Sequence, residues 1–333
     1  MDSVSRPLVS VVVPTYNRRS SLQRLLEALG RQTYPSQCLE VVVVDDGSTD
    51  GTLDFARQLH PGFALRVLEQ PHGGPAAARN RGVAAAQGSL ILFLDDDVAP
   101  APELVQEHVD SHTSEPNAVV IGPMSPPAAW PRPIWVRWEE EQLQAQYRAM
   151  LAGVWSCTAR QFYTGNASLA RAQFIEAKGF DTSFQRAEDV ELGYRLDENG
   201  ARFIFNARAD VLHYAWRSFD SWCRTPYQYG RYDVIMQRDK GRHTLDWASR
   251  EFHGRKNINR ALVSVCAGRG RTGRAVVGGL RALVRVAAGV GAQRTAQNAL
   301  SAIFGVLYWQ GVCDEMGDRR MLWRTIAAAA PEV

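Results

Sequence analysis

The chain has 333 residues, 45% of them apolar and 22% charged, which suits one large folded domain with an appendage and excludes both wholesale disorder and a minimal scaffold. Its formal charge of +3 names no polyanionic partner, yet the charge is divided: from Gly241 onward fourteen basic residues face six acidic ones, so the first 240 residues are net acidic. Reading from the N-terminus, Val9-Ser-Val-Val-Val-Pro14, Leu39-Glu-Val-Val-Val-Val44 and Leu90-Ile-Leu-Phe-Leu94 are apolar runs with almost no polar alternation, as expected of strands covered on both faces. Leu22, Leu25, Leu26 and Leu29 fall on one helical face, with Ser20 and Ser21 as candidate caps and Gly30 as a stop. A second helix is predicted from Thr52, a short strand over Ala64–Leu68 and a third helix over Pro75–Gln87. Strands alternating with helices at this spacing predict an open, mostly parallel α/β sheet of Rossmann-like type.

Beyond Gly122 the alternation stops. Prolines 123, 126, 127, 131 and 133 predict an extended loop, Arg137–Leu151 a helix, and strands are expected again near Phe162, over Arg202–Phe205 and over Val211–Tyr214. Between Phe252 and Cys313 there are nine Lys and Arg and no Asp or Glu, set among Ala, Val, Leu and Gly. The resulting division is a nucleotide-binding α/β half over residues 1–122, a second half of the same domain over 123–240, and a basic, mainly helical region over 241–333. Five scattered cysteines without a CxxC pair suggest free thiols in a reducing, cytoplasmic setting. No signal-peptide pattern opens the chain, and the longest late apolar run, Ala299–Val312, falls short of the roughly 20 residues a span needs.

In an open parallel sheet the ligand crevice lies beyond the carboxyl ends of the strands, so the residues after each run should converge. Here they are Pro14-Thr-Tyr-Asn-Arg18, Asp45-Asp-Gly-Ser48 and Asp95-Asp-Asp97. Three adjacent carboxylates repel one another. A divalent cation that takes one or two of them and completes its shell with substrate phosphates is the simplest remedy, although a solvated turn explains an acidic triplet as well. Glu188 and Asp189 precede an apolar pattern at Val190, Leu192 and Leu196, where helix capping alone accounts for two carboxylates.

The ordered set Val9–Arg18, Val44-Asp-Asp-Gly-Ser-Thr-Asp50, Ala78-Arg-Asn-Arg-Gly82, Phe93–Asp97, Gly165-Asn166, Gly179-Phe-Asp181 and Ala187-Glu-Asp189 resembles family-2 glycosyltransferases of the GT-A fold. The likeness extends over roughly residues 8–215. It implies that Pro14, Thr15, Tyr16 and Asn17 form the first nucleotide loop, that Asp46 accepts a hydrogen bond from the base, and that Arg79 counters phosphate charge. It further implies that Asp95 and Asp96 line the nucleotide-sugar site, that Asp97 and His213 hold Mn2+ or Mg2+, and that Asp189 is the general base, aided by Glu188. The activity so implied is inverting, metal-dependent transfer of a sugar from a nucleotide diphosphate donor, with UDP favoured, to a hydroxyl of a glycan, lipid-linked or small-molecule acceptor.

A nucleotidyltransferase making the sugar nucleotide is the enzyme alternative, but Pro14–Asn17 lacks the glycine- and basic-rich phosphate loop it needs. A glycan-binding scaffold without turnover is the other, and it predicts loss of carboxylates that are all present here. No motif for nucleic-acid binding accompanies the basic region, so none is expected. Arg274, Arg281 and Arg285 share one helical face, which fits either peripheral contact of residues 252–313 with the inner face of a membrane or packing on the enzyme or a second copy. Trp130, Trp135, Trp138 and Trp155 are equally readable as a sugar platform or as core.

Overall fold

A computed structural model describes residues 6–328. The first half runs β1 (Val9–Thr15), α1 (Arg19–Leu29), β2 (Leu39–Asp45), α2 (Thr52–Gln58), β3 (Ala64–Glu69), α3 (Gly74–Ala85), β4 (Leu90–Leu94), β5 (Val98–Pro100), α4 (Leu104–Ser114) and β6 (Ala118–Ile121). There follow β7 (Met124–Ser125), α5 (Ile134–Leu151), β8 (Asn166–Ala170), α6 (Arg171–Glu176), α7 (Glu188–Glu198), β9 (Arg202–Phe205) and β10 (Val211–His213). Helices α8 (Phe219–Lys240), α9 (Thr244–Gly254), α10 (Asn257–Cys266), α11 (Gly270–Gly289), α12 (Gln293–Met316) and α13 (Arg319–Ala328) complete the described chain.

Seven strands form one sheet in the order β3-β2-β1-β4-β8-β6-β9. All neighbours are parallel except β8, which runs antiparallel to both β4 and β6. The unbroken apolar runs are explained by cover on both faces. Leu22, Leu25 and Leu29 of α1, with α4, close one side, while Phe174, Phe180, Leu192 and Leu196 close the other. Gly82 of α3 is required by close approach, since a Cβ there would collide with Val12 of β1. The strand order reverses beside β1, which places the crevice between the carboxyl ends of β1 and β4.

Several local expectations shift. Ser20 and Ser21 lie inside α1, which starts at Arg19 without a side-chain cap. Helix α5 starts at Ile134, three residues before the predicted start. Phe162 is not in a strand: a Thr158–Gln161 capping box turns the chain just before it, and β8 begins at Asn166. The proline-rich loop contributes β7, which pairs with β10, itself paired to β5, in a separate three-stranded sheet.

The chain divides into two compact units. One runs to Pro131 and resumes over Glu140–Ala215; the other holds Arg132–Glu139 and the described residues from Trp216 on. The second unit takes in α8 rather than starting at residue 241, because α8 packs with the later helices. The reason is local. Gly230 of α8 and Gly311 of α12 let the two backbones touch, a Cβ at either glycine colliding with a main-chain carbonyl of the other helix, at Tyr308 and Tyr227 respectively. Trp222 is fully buried there against Trp138 and Phe304. Gly311→Val is expected to destabilise the helical unit by about 3 kcal/mol, the upper end for overpacking, because backbone cannot give way as a side chain can. Urea unfolding would read this, with Gly278→Ala on exposed α11 as the control that leaves stability unchanged or slightly raised.

Among the described residues no helix is long and apolar enough to cross a membrane, and all five cysteines are free.

Candidate active site

Register brings the predicted clusters to one edge of the sheet. Pairing of Thr15 with Asp45 sets the ends of β1 and β2 level, and β4 ends beside β1 with Asp95–Asp97 just past it. The three segments are then cross-linked: Thr15 Oγ1 donates to Asp96 Oδ2 at 2.7 Å, and the Asp46 amide donates to the Thr15 carbonyl at 2.9 Å. Asp96 is buried, and that burial pushes its carboxyl up to about 7.

The first loop is pinned by the second. Asn17 adopts a left-handed backbone, its amide donates to Ser48 Oγ at 2.8 Å, and its side-chain oxygen accepts from the Thr49 amide at 2.7 Å. Pro14 lies within β1, while Tyr16 is exposed with its ring 4.4 Å from that of His72. Asp46 is buried and already engaged. Its Oδ1 accepts from Gln70 Nε2 and the Gly73 amide at 2.7 and 2.8 Å, and its Oδ2 accepts from the Gly74 amide at 2.9 Å with His72 Nδ1 at the same distance. The expected role of accepting from a nucleotide base therefore competes with four donors that fold residues 70–74 against the start of α3. The sequence reading assigned no role to Gln70 or His72. Two glycines and a proline opening α3 were the only hint of a loop there.

Asp97 is held from two sides. Arg18 Nη1 lies 2.6 Å from its Oδ2, and His213 Nε2 lies 3.5 Å from its Oδ1. These partners hold the carboxyl well below the usual carboxylate range despite its burial. The small sheet causes the second contact. β10 runs antiparallel to β5 with His213 opposite Val98, and the Tyr214 amide donates to the Asp97 carbonyl at 2.9 Å. Arg18, part of the recognised first segment but given no role, also stands 3.7 Å from Asp96.

Glu188 and Asp189 open α7 after Ala187, whose left-handed backbone is unusual for a residue with a Cβ. They are joined to the triplet by Arg79. This buried guanidinium donates to Asp95 Oδ1 at 2.7 Å and to Glu188 Oε1 at 3.0 Å, leaving its Nε without a partner. Arg79 is thus a strut between two acidic groups that lie 91 to 94 positions apart in the chain. Burial and the adjacent Glu188 push Asp189 up to about 7, against the pull of Arg79. Tyr163, hydrogen-bonded to Gln146 at 3.3 Å, stands close enough for Asp189 to help raise its hydroxyl, a neighbour not anticipated from sequence.

Asn166 has a supporting place. Its amide donates to the carbonyls of Ala209 and Pro123, and its oxygen accepts from His108 Nε2 at 3.0 Å. With that nitrogen donating, Nδ1 of His108 accepts from Ser168, whose oxygen in turn accepts from His112. His108 is buried and His112 half-buried, both as neutral rings, lowered to about 3 and about 4 by desolvation. Of the tryptophans, Trp135 and Trp138 pack in the helical unit and Trp130 against Tyr214, whereas Trp155 is exposed.

Among the described residues no three His, Cys, Asp or Glu side chains gather as a metal cage. Asp97 and His213 nevertheless fit as two neighbouring donors of one ion, since ligands about 2.1 Å from a common centre stand roughly 3 Å apart or slightly more. The remaining positions would fall to phosphate oxygens and water.

The site residues thus form an acidic, arginine-braced cluster at the carboxyl ends of the strands of an α/β sheet, where ligands bind in folds of this kind. Residues 10–173 match the model of glycosyl transferase family 2, and that segment of the chain belongs to the family. It is 35% identical over 226 residues to validoxylamine A glucosyltransferase of Streptomyces hygroscopicus subsp. jinggangensis, covering 58% of this chain and 52% of the relative. It is 30% identical over 224 residues to pre-mycofactocin glycosyltransferase of Mycobacterium tuberculosis, covering 67% and 46%. The chain thus spans about half the length of these curated relatives. Among solved structures, a mannosyltransferase of Pyrobaculum calidifontis in complex with GDP-Man and Mn2+ superposes with a TM-score of 0.65 at 22% identity, covering 92% of this chain and 88% of that one. TarS residues 1–349 of Staphylococcus aureus with UDP-GlcNAc gives 0.56 at 19%, covering 91% and 90%. Both show the same GT-A fold.

Proposed function

We propose that the protein is an inverting glycosyltransferase that moves a sugar from a UDP-linked donor to an acceptor hydroxyl, with Asp189 as general base. The observation that carries the reading is the Arg79 strut, which unites the triplet and the Glu188–Asp189 pair in one notch. Asp189 receives the acceptor proton while the hydroxyl oxygen bonds to the anomeric carbon and the bond from that carbon to the diphosphate breaks. One such displacement inverts the centre. A carboxyl poised near 7 is well matched to this task at neutral pH. Glu188, held by Arg79, orients the base and the acceptor; Tyr16 and the loop braced by Asn17 and Asp46 receive the nucleotide.

Asp97 and His213 would hold Mn2+ or Mg2+, whose chemistry when bound is neutralisation of the departing diphosphate. Arg18 must then yield its place on Asp97, and its half-exposed side chain is free to turn toward the donor phosphates. Relatives named for glucosyl and glycosyl transfer favour transfer over nucleotide-sugar synthesis. Free thiols fit a reducing, cytoplasmic setting.

The reading is tested by incubating the protein with Mn2+ and UDP- or GDP-linked sugars and measuring nucleoside diphosphate release with and without acceptors. Release from no donor would refute it. Two variants address the cation directly by paramagnetic resonance of free Mn2+. Asp97→Ala is expected to abolish saturable Mn2+ binding in the presence of UDP. Arg18→Ala is expected to tighten Mn2+ binding to the donor-free protein by about fivefold, a modest effect because the guanidinium is half exposed.

A further inference from the structure

An exposed helix in water ordinarily presents charged or polar side chains on its open face. Helix α11 does not. Every exposed residue between Gly270 and Gly289 is Gly, Ala, Val, Leu or Arg. At 100° per residue its circumference divides into three sectors. Val277, Leu280, Val284 and Ala287 face the helical core. Arg271, Arg274 and Arg285 form a second, exposed sector, and Ala275, Ala282, Leu283 and Val286 a third. Val286 is 64% exposed and Val290, just past the helix, 75%.

Among the described residues three of the α11 arginines have no counter-charge. The side chains of Arg271, Arg274 and Arg285 make no hydrogen bond or ion pair among the described residues, whereas Arg281, on the sector's inner border, lies 3.6 Å from Asp220 and over the Phe219 ring. Since residues 252–313 contain no Asp or Glu, this unit has no acid of its own within that stretch to offer them.

We infer that this face of α11 lies on a membrane surface of anionic headgroups, with the valines and Leu283 entering the headgroup and acyl boundary and the arginines pairing with lipid phosphate. Charge complementarity selects this occupant. A second copy docked through the same face would set arginine against arginine, because a two-fold interface brings like patches together. Nucleic acid would match the arginines but give Val286 and Val290 nothing apolar to enter. A lipid surface satisfies both sectors at once, and a helix with one arginine sector beside one apolar sector lies flat in the interface rather than crossing it. The inference concerns the helical unit and does not rest on the sugar-transfer reading.

The test is co-sedimentation of the full chain with vesicles of phosphatidylglycerol and phosphatidylcholine against vesicles of phosphatidylcholine alone. The protein is expected to bind the anionic vesicles at least about tenfold more tightly. Arg274→Glu with Arg285→Glu should weaken that binding by about 25-fold or more, at about fivefold per basic residue. Val286→Ser with Val290→Ser should weaken it by about tenfold, and only the arginine contribution should fade as salt rises. All four positions are exposed, so circular dichroism and UDP binding should match the parent. Equal binding to both vesicle types, or binding indifferent to both variant pairs, would overturn the proposal. So would a concentration-dependent dimer that both pairs abolish, or retention on DNA without retention on vesicles.

Discussion

Asp189→Asn is expected to keep UDP affinity within about twofold of the parent and to lower turnover by about a thousandfold, the middle of the range for loss of a positioned base. The amide preserves the shape and the hydrogen bond from the Val190 amide but cannot take the proton. The parent should also show the base in its pH profile. Only the carboxylate form acts. With the group at about 7, turnover rises about tenfold per pH unit below that value and levels off above it. The Asn variant's residual rate should lack this limb. Steady-state kinetics from pH 5 to about 9, with UDP binding measured by calorimetry, decide the matter; an Asn variant that transfers at the parental rate ends the assignment.

Arg79→Met has the second large effect, and it separates two roles for this arginine. If the guanidinium is the strut described here, its loss leaves Asp95, Glu188 and Asp189 without their shared cation. The acidic limb of the pH profile then moves above 7, because burial and Glu188 push Asp189 up with the opposing guanidinium gone. Stability falls by about 3 kcal/mol at neutral pH, the lower end for breaking a buried ion pair, since Asp95 is partly exposed. The deficit should shrink at low pH, where protonated carboxyls no longer need the partner. If Arg79 instead served only the donor phosphates, the KM for the donor would rise while the limb and the urea midpoint stayed in place.

The two variants draw on different kinds of information. Asp189 and the triplet were legible as residues: carboxylates in a recognisable order along the chain, at the ends of apolar runs whose lack of alternation already declared a sheet covered on both faces. The βαβ alternation, the helical tail and the absence of acid from 252 to 313 were equally open to reading, because hydrophobic periodicity and charge are local properties of the sequence. Arg79 looked there like a phosphate contact, Asp46 like a free acceptor for a base, and residues 216–240 like part of the sheet domain.

Only the folded chain assigned those residues their neighbours. Arg79 meets Glu188 across 109 positions, His213 reaches Asp97 through the pairing of β10 with β5, and Asp46 spends its lone pairs on residues 70–74. α8 joins the later helices because two glycines permit backbone contact with α12. A side chain's chemistry is written at its own position, but its partners depend on strand register and close packing between distant segments, which composition and spacing do not encode.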